Sequence, residues 1–157
     1  MVTGEETSND PKIVSINISK EKGEIKTPIP EAKLVEDHGV EGDVHAGSEI
    51  KQVSLLDASE IKKMEERTGV ELNPGDFAEN LTSEGLELEK LPKGTRLRVG
   101  GKALLEVSQI GKTCHDDCVI KEKTGECIMP QKGLFFKVLE GGTIRSGDEI
   151  KLVKVGN

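Results

Sequence analysis

The chain has 157 residues and a formal net charge of −7; it has no Trp, no Tyr and only three phenylalanines, Phe77, Phe135 and Phe136. That length suits one domain around a single core, which must be built mainly from aliphatic side chains. The acidic balance repels phosphate backbones and so few rings offer bases little to stack on, which argues against a nucleic-acid partner.

The opening "MVTGEETSNDPK" is polar and lacks the apolar stretch of a signal peptide. No run of the sequence approaches the length of apolar residues a membrane helix needs. A cytoplasmic protein without membrane association is the expectation, and there thiols stay reduced and structural disulfides are rare.

Residues 1–11 read as a disordered lead-in and residues 12–155 as one domain. "KIVSINIS" alternates Ile13, Ser15, Asn17 with Val14, Ile16, Ile18, the period of a half-buried strand. Pro28 and Pro30 keep "EKGEIKTPIP" out of a central strand or a helix interior. Gly39, Gly42 and Gly47 in "EAKLVEDHGVEGDVHAG" mark sharp turns or close approaches of the backbone. "KQVSLLD" reads as a buried strand. Asp57 then caps a helix, with Glu60 completing a capping box, Ile61 and Met64 at helical spacing, and Gly69 as the stop.

"NPGDFAENLTSEG" reads as a loop, and "LELEKLPKGTRLRVGGKALLEVSQIG" as a hairpin turning at Gly100-Gly101, residues that tolerate the positive φ of two-residue turns. "GLFFKVLEGG" reads as a short helix stopped by Gly141-Gly142, and "TIRSGDEIKLVKV" as a turn and a closing strand. Many short strands with one or two short helices give a mainly β, barrel-like single domain.

The cysteines Cys114, Cys118 and Cys127 all fall in "GKTCHDDCVIKEKTGECIMPQKG". An odd count leaves one thiol unpaired in any intramolecular disulfide scheme. A structural zinc site is one reading: Cys114 and Cys118 have the spacing of one ligand pair, but a second close pair is missing, and adjacent Cys114 and His115 reach one ion poorly. His38 or His45 would have to complete such a set from afar. A buried, inert thiol is another reading and suits Cys118 in "CVI". A reactive thiolate is the third. Lys112, Lys121, Lys123 and Lys132 are balanced there by Asp116, Asp117, Glu122 and Glu126, so the window is no basic patch. Cys127, in a turn-like run before Pro130 and the expected helix, is the thiol best placed for a stabilised thiolate. His45 in "EGDVHAG" is either a turn or core histidine or a functional one, with Asp43 at hand to fix its tautomer. No nucleophile elbow, H-x-x-x-H pair, phosphate loop or dinucleotide fingerprint occurs.

Taken in order, "GVEGDVHAG", "FAENLTSEGLELEKLPKGTRLRVGG" and "LEVSQIGKTCHDDCVIKEKTGECIMPQKGLFFKVLEGGTIRSGDEI" resemble a stand-alone MOSC domain, the family named for the C-terminal domain of molybdenum cofactor sulfurases. The resemblance runs from about residue 12 onward. It implies a β-barrel-like fold that binds molybdenum cofactor (molybdopterin), or carries sulfur on a cysteine toward metal–sulfur sites, a sulfurtransferase-like role. Cys127 in "GECIMP" matches the sulfur-bearing or molybdenum-holding thiol, with Cys114 and Cys118 secondary. Asp43 and His45 match the "GD-x-H" element and Glu79 and Asn80 the "EN-L" element, both implied to line the cofactor pocket. Two departures stand out: Ala78 replaces the glycine of G-E-N-L, and Gln131-Lys132 occupies the place of an arginine, leaving Lys132 as a point charge for an anion. The implied partners are the cofactor or a sulfur donor or acceptor protein. A non-catalytic cofactor-binding or partner-interaction module and a structural zinc domain are the alternatives.

Overall fold

The structure, a computed structural model, describes residues 11–20, 26–44, 46–47, 49, 52–77, 79–110 and 133–156. The strands are β1 (Lys12–Ile18), β2 (Thr27–Ile29), β3 (Glu31–Val35), β4 (Gly39–Val40), β5 (Val53–Asp57), β6 (Leu81–Glu84), β7 (Arg96–Val99), β8 (Ala103–Ile110), β9 (Leu134–Glu140), β10 (Gly142–Arg145) and β11 (Ile150–Lys154). One helix, α1 (Ala58–Thr68), and a 3-10 turn at Leu88–Lys90 complete the described elements.

Eight strands form one sheet in the order β11-β7-β8-β9-β5-β6-β1-β2, and three more form a small sheet, β10-β3-β4. Neighbours run antiparallel except β5 and β6, which are parallel because α1 carries the chain across between them. The large sheet curls, without closing, so that the start of β1 meets the turn leading into β11. The Ile13 amide donates to Asp148 O at 2.9 Å, the Gly147 amide to Ile13 O at 2.7 Å and the Ile150 amide to Pro11 O at 3.0 Å. The fold is therefore mainly β and barrel-like, although the final contact is a single bridge, Lys12 to Glu149, and not a full ladder.

The core is aliphatic, as the composition demands: Ile16, Leu55, Leu56, Leu81, Leu105 and Phe136 are all buried. In β1 the simple alternation breaks at a bulge between Ile13 and Ser15. The bulge brings both Ile13 and Ile16 to the core and leaves Val14 exposed. Pro28 sits in β2, at the sheet edge, where a missing amide is tolerated. Asp57 caps α1 by accepting from the Ser59 amide at 3.2 Å, and Gly69 ends it at φ 74.

Three expectations need correction. "GLFFKVLEGG" is not a helix: its residues 134–140 form β9, hydrogen-bonded between β8 and β5. Leu134, Phe135, Phe136 and Val138 are buried there, and a strand covered on both faces reads as a continuous apolar run that a buried helix would also show. The helix N-terminus invoked for Cys127 falls with it. Next, "NPGDFAENLTSEG" is only partly loop, because Leu81–Glu84 is β6. Buried Thr82 and Ser83 hid it, since their hydroxyls read as loop polarity. Finally, Val99 pairs with Ala103, so the hairpin turns on residues 100–102 and not on Gly100-Gly101 alone. Both glycines do take positive φ, 68° and 100°.

Candidate functional site

Of the residues singled out in the sequence, Asp43, Glu79 and Asn80 lie among those described. Cys114, Cys118, Cys127, His45 and Lys132 lie outside them, as does the lead-in over residues 1–10.

Asn80, just ahead of β6, is fully buried and stitches three strands together. Its Oδ1 accepts from the Ser54 amide at 3.0 Å, its own amide donates to Ser54 Oγ at 2.9 Å, and its Nδ2 donates to Asn17 O at 3.2 Å. Asn17 answers from β1. Its amide donates to Asn80 O at 2.7 Å, and its Nδ2 donates to Glu79 O and Thr82 Oγ1, both at 3.1 Å. A pair of carboxamides serves here because each supplies donors and an acceptor where three backbones meet without a regular ladder.

Glu79 is also fully buried. Its Oε2 accepts from Thr82 Oγ1 at 2.6 Å and from the Gly75 amide at 3.0 Å. Its Oε1 is buried without a hydrogen-bond partner among the described residues. Burial raises the carboxyl from 4.5 to about 7, against the Gly75 and Thr82 hydrogen bonds, which favour the ionised form. A buried acid that titrates near neutrality beside an open hydrogen-bonding position can hold or release a proton, or bind a polar ligand.

Gly75 reaches Glu79 from the turn Asn73-Pro74-Gly75-Asp76, closed by the Asp76 amide donating to Asn73 O at 3.0 Å. Proline at the second position and a glycine at φ 91° in the third are what a type II turn asks for. The backbone is also close-packed there: a Cβ on Gly75 would stand 2.2 Å from Lys26 O.

Lys26 makes the connection to Asp43. Its amide donates to Gly75 O at 2.8 Å, while its Nζ lies 2.8 Å from Asp43 Oδ1 and 3.0 Å from Ser19 Oγ. Both charged side chains are 0% exposed. The Ser19 amide also donates to Asp43 Oδ1 at 3.0 Å. Asp43, Glu79 and Asn80 thus belong to one buried network running through Asn17, Ser19, Lys26 and Gly75.

Lys26, Asn17 and Ser19 escaped the sequence reading. The one available signal was the Asn and Ser in the otherwise apolar "IVSINIS"; Lys26 follows other lysines and glutamates in "KEKGEIK" and reads like any of them. The ends of the cysteine-bearing segment lie in the same sheet, two and three strands from β6. Ile110 pairs with Leu134, Leu134 with Leu55, and Leu55 with Leu81, the residue after Asn80.

Among the described residues, no three His, Cys, Asp or Glu side chains converge as a metal site. None of the described helices is long and apolar enough to cross a membrane. An open cleft lined by Arg98, Gly100, Gly101, Asp148 and Glu149 lies beside the start of β1, whereas the network gathers at its end.

Known proteins share this architecture. The chain is similar to the uncharacterized protein YflK of Bacillus subtilis, 28% identical over 167 residues that cover 92% of this chain and 74% of the relative. The crystal structure of YiiM from Geobacillus stearothermophilus matches with a TM-score of 0.72 and 27% identity, over 92% of this chain and 75% of that one. The YuaD protein of Bacillus subtilis, at 18% identity, shares the fold with a TM-score of 0.74 over 90% of this chain and 94% of its own. The family pattern of the MOSC domain matches residues 41–151, a span that takes in the Asp43 loop, the Glu79-Asn80 corner and the cysteine window, and the chain belongs to that family.

Proposed function

We propose that this protein is a cytoplasmic sulfur carrier or binding protein for the molybdenum cofactor, with Cys127 as the sulfur-bearing thiol. Family membership supports the general area of function, a relation to molybdenum cofactor sulfurases. The observation that supports the finer reading is that Asp43 of "GD-x-H" shares a network with Glu79 and Asn80 of "EN-L". Asp43, Glu79 and Asn80 are distant in sequence yet share one buried network, and the register that ties Leu81 to Leu55 runs on to Leu134 and Ile110, the two ends of the cysteine-bearing segment, two and three strands away.

The described residues fit a polar organic group at one position, the unpartnered Glu79 Oε1, which accepts a hydrogen bond when ionised and donates one when protonated. Glu79 would hold the heterocycle there, with His45 and Lys132 on its anionic part, while Asp43 and Asn80 keep the walls in place. When bound, the cofactor supplies the metal centre toward which sulfur is passed.

The protein's own chemistry lies in the thiols. The Cys127 thiolate attacks the outer sulfur of a donor persulfide; the donor's S–S bond breaks, its thiolate leaves, and Cys127 carries the sulfur as a persulfide. Cys118 or Cys114 then attacks the inner sulfur, a disulfide forms, and sulfide leaves toward the acceptor. The experiment is intact mass after incubation with a cysteine desulfurase and cysteine. The wild type should gain one sulfur and Cys127→Ala should not. A wild type that never gains sulfur yet retains pterin supports the non-catalytic binding module instead.

A further inference from the structure

We infer that Lys26 is a positioning residue that locks the Asp43 loop to the Glu79-Asn80 corner. It bonds to both sides. Its backbone amide holds Gly75, whose own amide holds Glu79, and its ammonium holds Asp43. The side chains of Lys26 and Asp43 are 0% exposed and lie 2.8 Å apart, so each charge is turned toward the other inside the protein.

The loop behind Asp43 is pinned in the same place. The Asp43 amide donates to Val40 O at 3.1 Å, the Val44 amide to Ser19 O at 2.9 Å, the Ala46 amide to Asp43 O at 3.2 Å and the Gly47 amide to His38 O at 2.7 Å. Ser19 sits at the hub: its hydroxyl accepts from Lys26, its amide donates to Asp43, and its carbonyl accepts from Val44. His45 is flanked on both sides by these fixed residues. Taking two charges fully out of water is unfavourable unless each is well partnered, and apolar residues of similar size would fill the space at least as well. A buried pair retained in such a place fits a role in fixing one arrangement of the loop, with Asp43 acting on the site through its neighbours.

As a statement about the functional site, the inference rests on the reading that residues 43–47 and 79–80 border it. The experiment separates the two. Amide exchange is followed by NMR on the full chain for the wild type and for the double substitution Lys26→Met with Asp43→Leu, which removes both charges together. The urea midpoint should fall only modestly, because the Ser19 amide loses its acceptor and its hydroxyl loses a donor. Exchange at Val44, Ala46 and Gly47 should nevertheless rise at least tenfold, with the ladder amides of Leu55 and Phe136 unchanged, and sulfur uptake should slow. If the double variant does not fold, Lys26→Gln is read in the same way. Unchanged protection of Val44, Ala46 and Gly47 in the folded variant overturns the inference. So does a loosened loop with sulfur uptake as fast as in the wild type. A wild type that takes up no sulfur counts against the proposed function, and the exchange data then decide the role of Lys26 alone.

Discussion

Replacing Glu79 by glutamine should convert a pH-dependent weakness of the fold into a pH-independent one. In the folded protein the carboxyl titrates at about 7, in place of 4.5, because burial disfavours its charge. The folded state therefore holds this proton more tightly than the unfolded chain does. The resulting penalty is absent well below pH 4.5, grows as pH rises toward 7, and is constant above that. At about 1.36 kcal/mol per pH unit, its full size is about 3 kcal/mol. The Glu79→Gln amide keeps an oxygen to accept from Gly75 and Thr82 but carries no charge. Its NH2 group takes the place of the unpartnered Oε1, at a cost of about 1 kcal/mol that does not vary with pH. Urea unfolding of both proteins between pH 5 and pH 8 isolates the effect, since groups common to both cancel in the difference. Relative to the wild type, the variant should gain about 2–3 kcal/mol between those two conditions. A difference that stays flat with pH, or that turns against the variant as pH rises, would refute the reasoning.

Other substitutions probe the same network. Asn80→Ala removes the side-chain acceptor of the Ser54 amide and the side-chain donor to Asn17 O, and should cost about 2–4 kcal/mol, read as a lower urea midpoint. Gly75→Ala places a Cβ 2.2 Å from Lys26 O at a φ of 91°, and should lower stability by about 4 kcal/mol or more, or prevent folding. Gly69→Ala, also at positive φ but with nothing within 4 Å, should cost only about 1 kcal/mol by the same assay.

Where local rules govern, the sequence could be read directly. Asp57 and Gly69 bracket α1 because capping is chemistry between near neighbours. Gly39, Gly42 and Gly47 all take positive φ, so the expectation of sharp turns there held. Long-range context decided the rest. β9 looked helical because nothing in "GLFFKVLE" reveals that β8 and β5 lie on either side of it. β6 looked like loop because its Thr82 and Ser83 are polar groups satisfied inside the fold: Thr82 donates to Glu79, and Ser83 donates to Asp57 at 2.7 Å. The motifs of the candidate site were legible as motifs, but what joins them was not. Lys26 is one lysine among many in the sequence, and only the fold gives it Asp43 on one side and Gly75 on the other.

The most direct test of the sulfur-carrier reading is to locate the transferred sulfur. After loading by a cysteine desulfurase, the protein is alkylated and cleaved with trypsin, which separates Cys127 from Cys114 and Cys118 at Lys121 and Lys123. The proposal predicts a trapped persulfide on the Cys127 peptide. Added sulfur found only on the peptide that carries both Cys114 and Cys118, or on neither peptide, would contradict it.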